Sequence, residues 1–122
     1  MSAVRLWGPV ALYTGLIFWI CSASRPIPGQ QYFPQMDKLC HAVEYGPYAA
    51  LWLRAIRGGF GHLSWRKSLL LALAATALVG ALDEYYQSFV PLKSSDLWDI
   101  AADTFGALIG LWFCRRWAAR IL

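Results

Sequence analysis

Charge is scarce in this chain. Only 15% of its 122 residues are Asp, Glu, Lys or Arg, against about a quarter in soluble domains. Because 58% are hydrophobic and 16% aromatic, an ordinary water-soluble domain is excluded and a membrane protein is expected. Histidine is scarcer still, with only His41 and His62. No H-E-x-x-H pattern exists, so a dense helical metal motif is absent. No glycine elbow surrounds Ser88, Ser94 or Ser95, which removes the usual context for a nucleophilic serine; Ser94 and Ser95 read as loop or capping residues. The basic residues are not interleaved with aromatics into a nucleic-acid surface, so no nucleic-acid partner is expected.

What is present is a set of long apolar runs. Leu6 to Ser24 carries no charge, close to the roughly 20 residues that a bilayer-spanning helix needs. Arg5 and Ser22-Ala23-Ser24 also allow a signal-peptide reading, but the remainder is equally apolar, and a retained span is expected. Three further spans are read at 37–56, 68–86 and 96–117. The connections are rich in turn residues: three prolines and a glycine between Arg25 and Met36, and three glycines between Arg57 and Lys67. Residues 1–122 are thus expected to form a single all-α domain, a transmembrane four-helix up-and-down bundle.

Lys and Arg sort by side. Arg5, Arg54, Arg57, Arg66, Lys67, Arg115, Arg116 and Arg120 fall at one end, and Arg25, Lys38 and Lys93 at the other. Retention of basic loops in the cytoplasm then gives an N-in/C-in multi-pass protein of a bacterial inner (cytoplasmic) membrane. His62 lies in the basic loop and reads as a solvated residue. All seven acids, Asp37, Glu44, Asp83, Glu84, Asp96, Asp99 and Asp103, fall near the opposite end. An ionisable group at the centre of a membrane helix costs about 2.5–3.5 kcal/mol on insertion scales, so such groups usually face the interior and mark function.

The spacing decides which can meet. Asp96, Asp99, Asp103, Gly106 and Gly110 step by three or four along one helical face. Thr76, Gly80, Asp83 and Gln87 form a second stripe, and Asp37, His41, Glu44 or Tyr45, Tyr48 and Trp52 a third. The three are expected to face one another, with Gly46-Pro47 kinking the second span. Gly106 and Gly110 suit close helix packing, and a homo-oligomer through them stays open. Asp37 and Asp96 also suit helix capping, which does not account for Asp83 or Asp103.

Three blocks, Asp37-Lys38-x-x-His41-x-x-x-Tyr45, Asp83-Glu84-x-x-Gln87-x-Phe89-Val90-Pro91 and Ser95-Asp96-x-x-Asp99-x-x-x-Asp103-Thr104-x-Gly106-Ala107-x-x-Gly110, resemble the VanZ-like family of small bacterial membrane proteins. The resemblance implies four transmembrane helices and a cell-envelope role. It also implies a link to resistance against teicoplanin, a glycopeptide that binds lipid-linked precursors outside the membrane. Two positions depart from the family pattern: Leu92-Lys93 stands where a short polar turn leads to an arginine, and Asp103 stands where asparagine is common. At 103, hydrogen bonding is therefore implied before charge.

From the residues themselves, several chemistries remain open. Phosphoryl or pyrophosphate chemistry on a lipid needs cations to hold the anion, a histidine as base or nucleophile, and a carboxylate to orient it. His41 with Asp37, Asp83, Asp99 or Asp103 meets the catalytic part. Lys38, Tyr45, Glu84, Gln87, Lys93 and Asp96 are candidates to hold a membrane lipid or a lipid-linked envelope precursor, with Tyr85 or Tyr86 also within reach. A divalent cation, Mg²⁺, Mn²⁺ or Zn²⁺, suits clustered carboxylates beside a histidine. A proton or ion pathway uses the same ingredients, and a purely structural ion-pair network is a third class, although three bases cannot pair seven acids. Cys21 and Cys40 fall at one end of adjacent spans, where a bridge is conceivable, and Cys114 reads as a buried thiol. The tryptophans read mainly as interfacial anchors. Phe89 to Leu92 is too apolar for an exposed loop and is expected at the membrane surface or folded over the polar site.

Overall fold

The computed structural model describes residues 2–22, 36–89 and 97–117. Within them the chain is all-helical: α1 (Ala3–Ser22), α2 (Met36–Gly59), α3 (Trp65–Gln87) and α4 (Leu97–Trp117). Beyond its first turn a helix satisfies its backbone donors within the segment, which suits a lipid environment. α1, α3 and α4 are long and apolar enough to cross a membrane. The stretch expected as the second span, 37–56, does not reach that standard. α2 carries Asp37, Lys38, His41, Glu44, Arg54 and Arg57, and it is the helix the other three cover, with its largest contact to α4.

The helices outrun the apolar runs that announce them. α2 continues through Arg57 to Gly59, and α3 begins at Trp65 rather than Ser68, because Ser64 caps it by accepting from the Lys67 backbone N–H at 3.2 Å. α2 begins at Met36, which puts Asp37 inside the first turn and not at the cap. Pro47 lies within a continuous α2. It removes one donor from the helical ladder, and Tyr13 of α1 donates to the nearby Glu44 carbonyl.

The contacts fix direction and register. Leu6 and Trp7 lie beside Gly58 and Gly59, so α1 runs against α2. α2 and α4 run in the same sense and nearly touch backbone to backbone. A Cβ built on Gly106 meets the Cα and carbonyl carbon of Ala42 at 2.7 Å, and one on Gly110 meets the Gly46 Cα at 3.0 Å. Ala42-x-x-x-Gly46 and Gly106-x-x-x-Gly110 are thus two small-residue rows pressed together. Gly106 and Gly110, open to an oligomer contact on the sequence, pack against α2 within the chain.

Two apolar clusters fill the interior. One joins Leu6, Val10 and Ile17 of α1 to Tyr45, Tyr48 and Ala55 of α2. The other packs Ala49, Leu53 and Ile56 of α2 against Ala72, Ala107 and Leu111 of α3 and α4. Leu12, Val43, Leu70, Leu78, Phe105 and Trp112 point outward, while Asp83, Glu84, Asp99 and Asp103 are buried. Carboxylates inside and leucines outside is the arrangement of a lipid-facing protein.

Candidate functional site

The buried polar groups gather near one end, where α1 and α3 finish and α2 and α4 begin. Three stripes converge there, as the spacing predicts. α3 buries Thr76, Gly80, Asp83 and Gln87, with Glu84 beside them. α4 buries Asp99, Asp103 and Gly106. α2 contributes Tyr45 and Tyr48, both fully buried, and His41 with 13% of its side chain exposed.

His41 is the hub. Its Nδ1 lies 2.7 Å from Asp103 Oδ1, and its Nε2 lies 3.7 Å from Asp99 Oδ2. Asp99 and Asp103 are one helical turn apart on α4, so two carboxylates flank one ring. Tyr45, one turn further along α2, stacks in line with the imidazole and donates from its hydroxyl to Asp83 Oδ2 at 3.0 Å. The site is therefore two linked pairs: His41 with Asp103 across α2 and α4, and Tyr45 with Asp83 across α2 and α3. Gly80 makes the assembly possible, since a Cβ there comes within 2.8 Å of Asp103 Oδ2.

Hydroxyls from α1 make a second polar group below, in ring contact with Tyr45 through Tyr48. Tyr13 stacks on Tyr48 with ring centroids 5.1 Å apart, and Thr14 hydrogen-bonds the Tyr48 hydroxyl as well as the Val10 carbonyl. Sequence reasoning missed this contribution from α1. The available signal was Tyr13-Thr14, a polar pair in the middle of an otherwise apolar stretch.

Other sequence-based expectations fare differently. Glu44 is half-buried on α2, and Glu84 and Gln87 are buried at the end of α3. Tyr85 and Tyr86 turn outward, Tyr85 onto Phe89 and Tyr86 onto Phe18, so neither lines the polar cluster. The side chains of Asp37 and Lys38, together with Lys93, Asp96 and residues 90–92, lie outside the described residues. Cys40 is a free thiol, and the side chain of Cys21 is outside the described set. Cys114 is half-buried.

The opposite end is basic. His62 is exposed in the turn before α3, against Phe60. Trp65 lies under the Arg57 guanidinium at 4.1 Å and near that of Arg115 at 5.2 Å. Arg57 also donates to the Leu63 carbonyl at 3.1 Å. Trp7 and Trp52 pack edge-to-face within the first core cluster, which corrects their reading as anchors; Trp19, Trp98 and Trp112 do face outward.

A His41–Asp103 pair buried in protein can hold a proton in a fixed direction, and a carboxylate-oriented imidazole is the usual form of a general acid or base. The same donors, His41, Asp83 and Asp103, each place one ligand atom within 4.8 Å of the others. Neither curated proteins nor solved structures match the chain. The model of the VanZ/LLP1 family matches residues 10–119, a span holding all four helices' contributions to the polar cluster, and the chain belongs to that family.

Proposed function

We propose that this protein recognises the phosphate-bearing head group of an anionic envelope lipid, a phospholipid or a polyprenyl-phosphate-linked precursor, at its polar end. In this reading that end faces the outside of the inner membrane, with both termini cytoplasmic. The basic residues clustered at the other end support the orientation. The four helices then form a transmembrane bundle whose polar site lies at head-group depth.

The observation that carries the reading is the burial of two adjacent hydrogen-bonded pairs, His41 with Asp103 and Tyr45 with Asp83, in a chain whose outer surface is apolar. Capping does not require Asp83 or Asp103, which sit well inside their helices. Lys38, three residues before His41, and Lys93, in the connection from α3 to α4, are the sequence's cations for a phosphate at this end. His41 is the group that accepts or delivers a proton if the lipid is modified. A continuous pathway for ions is disfavoured by the apolar packing of Leu53, Ile56, Ala72, Ala107 and Leu111 beyond the polar cluster. A lipid-linked precursor as ligand fits a contribution to teicoplanin resistance, since that drug binds such precursors outside the membrane.

The test compares wild type and His41→Asn in nanodiscs, using radiolabelled polyprenyl phosphate, phosphatidate and uncharged diacylglycerol. Retention of the phosphorylated lipids over diacylglycerol, weakened in the variant, is the expected result. Equal retention of all three by wild type defeats head-group recognition. Turnover that survives His41→Asn defeats a chemical role for the imidazole.

A further inference from the structure

A cluster built mainly of carboxylates is an odd receptor for an anion, and the geometry around Asp103 addresses this. Its Oδ1 takes the contact from His41 Nδ1. Its Oδ2 is fully buried and meets no hydrogen-bond donor, although the residue as a whole has no exposed surface. A buried carboxylate oxygen without a donor is expensive. The room it occupies is cleared by Gly80, one turn from Asp83 on α3.

We infer that His41, Asp83 and Asp103 form a binding site for one first-row divalent cation, Mn²⁺ or Zn²⁺, whose outward coordination positions are completed by phosphate oxygen. The three ligand atoms lie within 4.8 Å of one another. Donors sharing a cation with bonds near 2.1 Å stand roughly 3–4 Å apart, so side-chain rotation that brings the atoms together by about 1 Å closes the shell. The cation takes the place of the proton between Nδ1 and Asp103. Nε2 then faces Asp99 Oδ2, 3.7 Å away, and that outer carboxylate favours the proton on Nε2 electrostatically. Tyr45 does the same for Asp83 by holding its Oδ2. One imidazole among the donors favours Mn²⁺ or Zn²⁺ over Ca²⁺, which takes oxygen ligands only.

The bridging of phosphate rests on the head-group reading above; the cation site does not. Wild-type protein in detergent micelles, stripped with EDTA and dialysed, is titrated with Mn²⁺ and followed by loss of the free-ion EPR signal. One Mn²⁺ per chain is expected, with affinity lowered at least roughly tenfold by His41→Gln or Asp103→Asn. Titration of wild type that matches either variant overturns the inference. Should the variants fail to fold, pulsed EPR on wild type decides alone. Nitrogen modulation from a coordinated imidazole supports the site, and its absence at saturating Mn²⁺ refutes it.

Retention of polyprenyl phosphate, phosphatidate and inorganic phosphate is then compared in EDTA and in Mn²⁺. Phosphorylated lipid held only with Mn²⁺, and in preference to inorganic phosphate, supports bridging of a lipid head group. Lipid held equally in EDTA overturns bridging and leaves head-group recognition standing. Mn²⁺ bound with no phosphorylated lipid retained overturns head-group recognition and leaves the cation site standing.

Discussion

Gly106→Ala adds one methyl group where α2 and α4 come closest, and its cost follows from the distances. The new carbon falls 2.7 Å from the Cα and carbonyl carbon of Ala42. Carbon contacts are comfortable at about 3.5–4.0 Å, so α4 has to retreat by roughly 1 Å. The neighbouring atoms belong to backbone, which cannot swing aside as a side chain does. His41 immediately precedes Ala42, and Asp103 lies one turn before Gly106. The retreat therefore opens the 2.7 Å His41–Asp103 contact beyond hydrogen-bonding range. Overpacking contributes about 1–3 kcal/mol, and loss of a hydrogen bond to a charged group about 1.5–3 kcal/mol. The gain from replacing glycine in a helix is only about 1 kcal/mol. A net destabilisation of roughly 1.5–5 kcal/mol is expected. Equilibrium unfolding in mixed SDS micelles, followed by the fluorescence of the seven tryptophans, measures it. Gly15→Ala is the control, because nothing lies within 4 Å of the added Cβ, and it is expected to be neutral or to stabilise by up to about 1 kcal/mol. Identical midpoints for Gly106→Ala and Gly15→Ala refute the packing argument and the register it gives the site.

Tyr45→Phe removes the donor to Asp83 Oδ2 while keeping the ring, and should cost about 1.5–3 kcal/mol in the same unfolding assay; a change under about 0.5 kcal/mol contradicts the contact. A double-mutant cycle on His41→Ala and Asp103→Ala should give a coupling energy of roughly 1–3 kcal/mol, and additivity within about 0.5 kcal/mol excludes their pairing. For topology, single cysteines at Ser64 and Phe89, in a chain whose native cysteines are serine, report the two ends. An impermeant maleimide added to intact cells should label position 89 and spare position 64, and the reverse pattern inverts the orientation.

Much of this architecture was legible because two signals coincide. The 3.6-residue period put Asp83 above Gly80 and Asp103 above Gly106, and the acids all lie at one end, so inward stripes meeting at a common level followed. The choice of partner for His41 did not follow: Asp37, Asp83, Asp99 and Asp103 satisfy the spacing equally, and only helix rotation and depth select Asp103 with Asp99 behind it. The partner of Gly106-x-x-x-Gly110 was equally open, because the pattern specifies a close approach and not whose backbone approaches. Ala42-x-x-x-Gly46 supplies it within the chain. α1 looked like a plain span, yet Tyr13 reaches the Glu44 carbonyl and Thr14 the Tyr48 hydroxyl of α2. A hydroxyl in an apolar run reads as tolerable in lipid until its acceptor is seen. The low apolarity of α2 has a related cause, since a helix covered by three others need not itself be uniformly apolar.

The central claim is that a lipid phosphate sits beside the imidazole enclosed by these helices. Solid-state NMR on proteoliposomes can read that proximity directly, by recoupling ³¹P of bound polyprenyl phosphate to ¹⁵N-labelled histidine in a His62→Gln variant, where His41 is the only histidine left. Dephasing of the His41 ring nitrogens by phosphorus, retained in the presence of excess competitor lipid that lacks phosphate, is the predicted result. A ring signal untouched by phosphorus while the lipid is demonstrably bound contradicts the account.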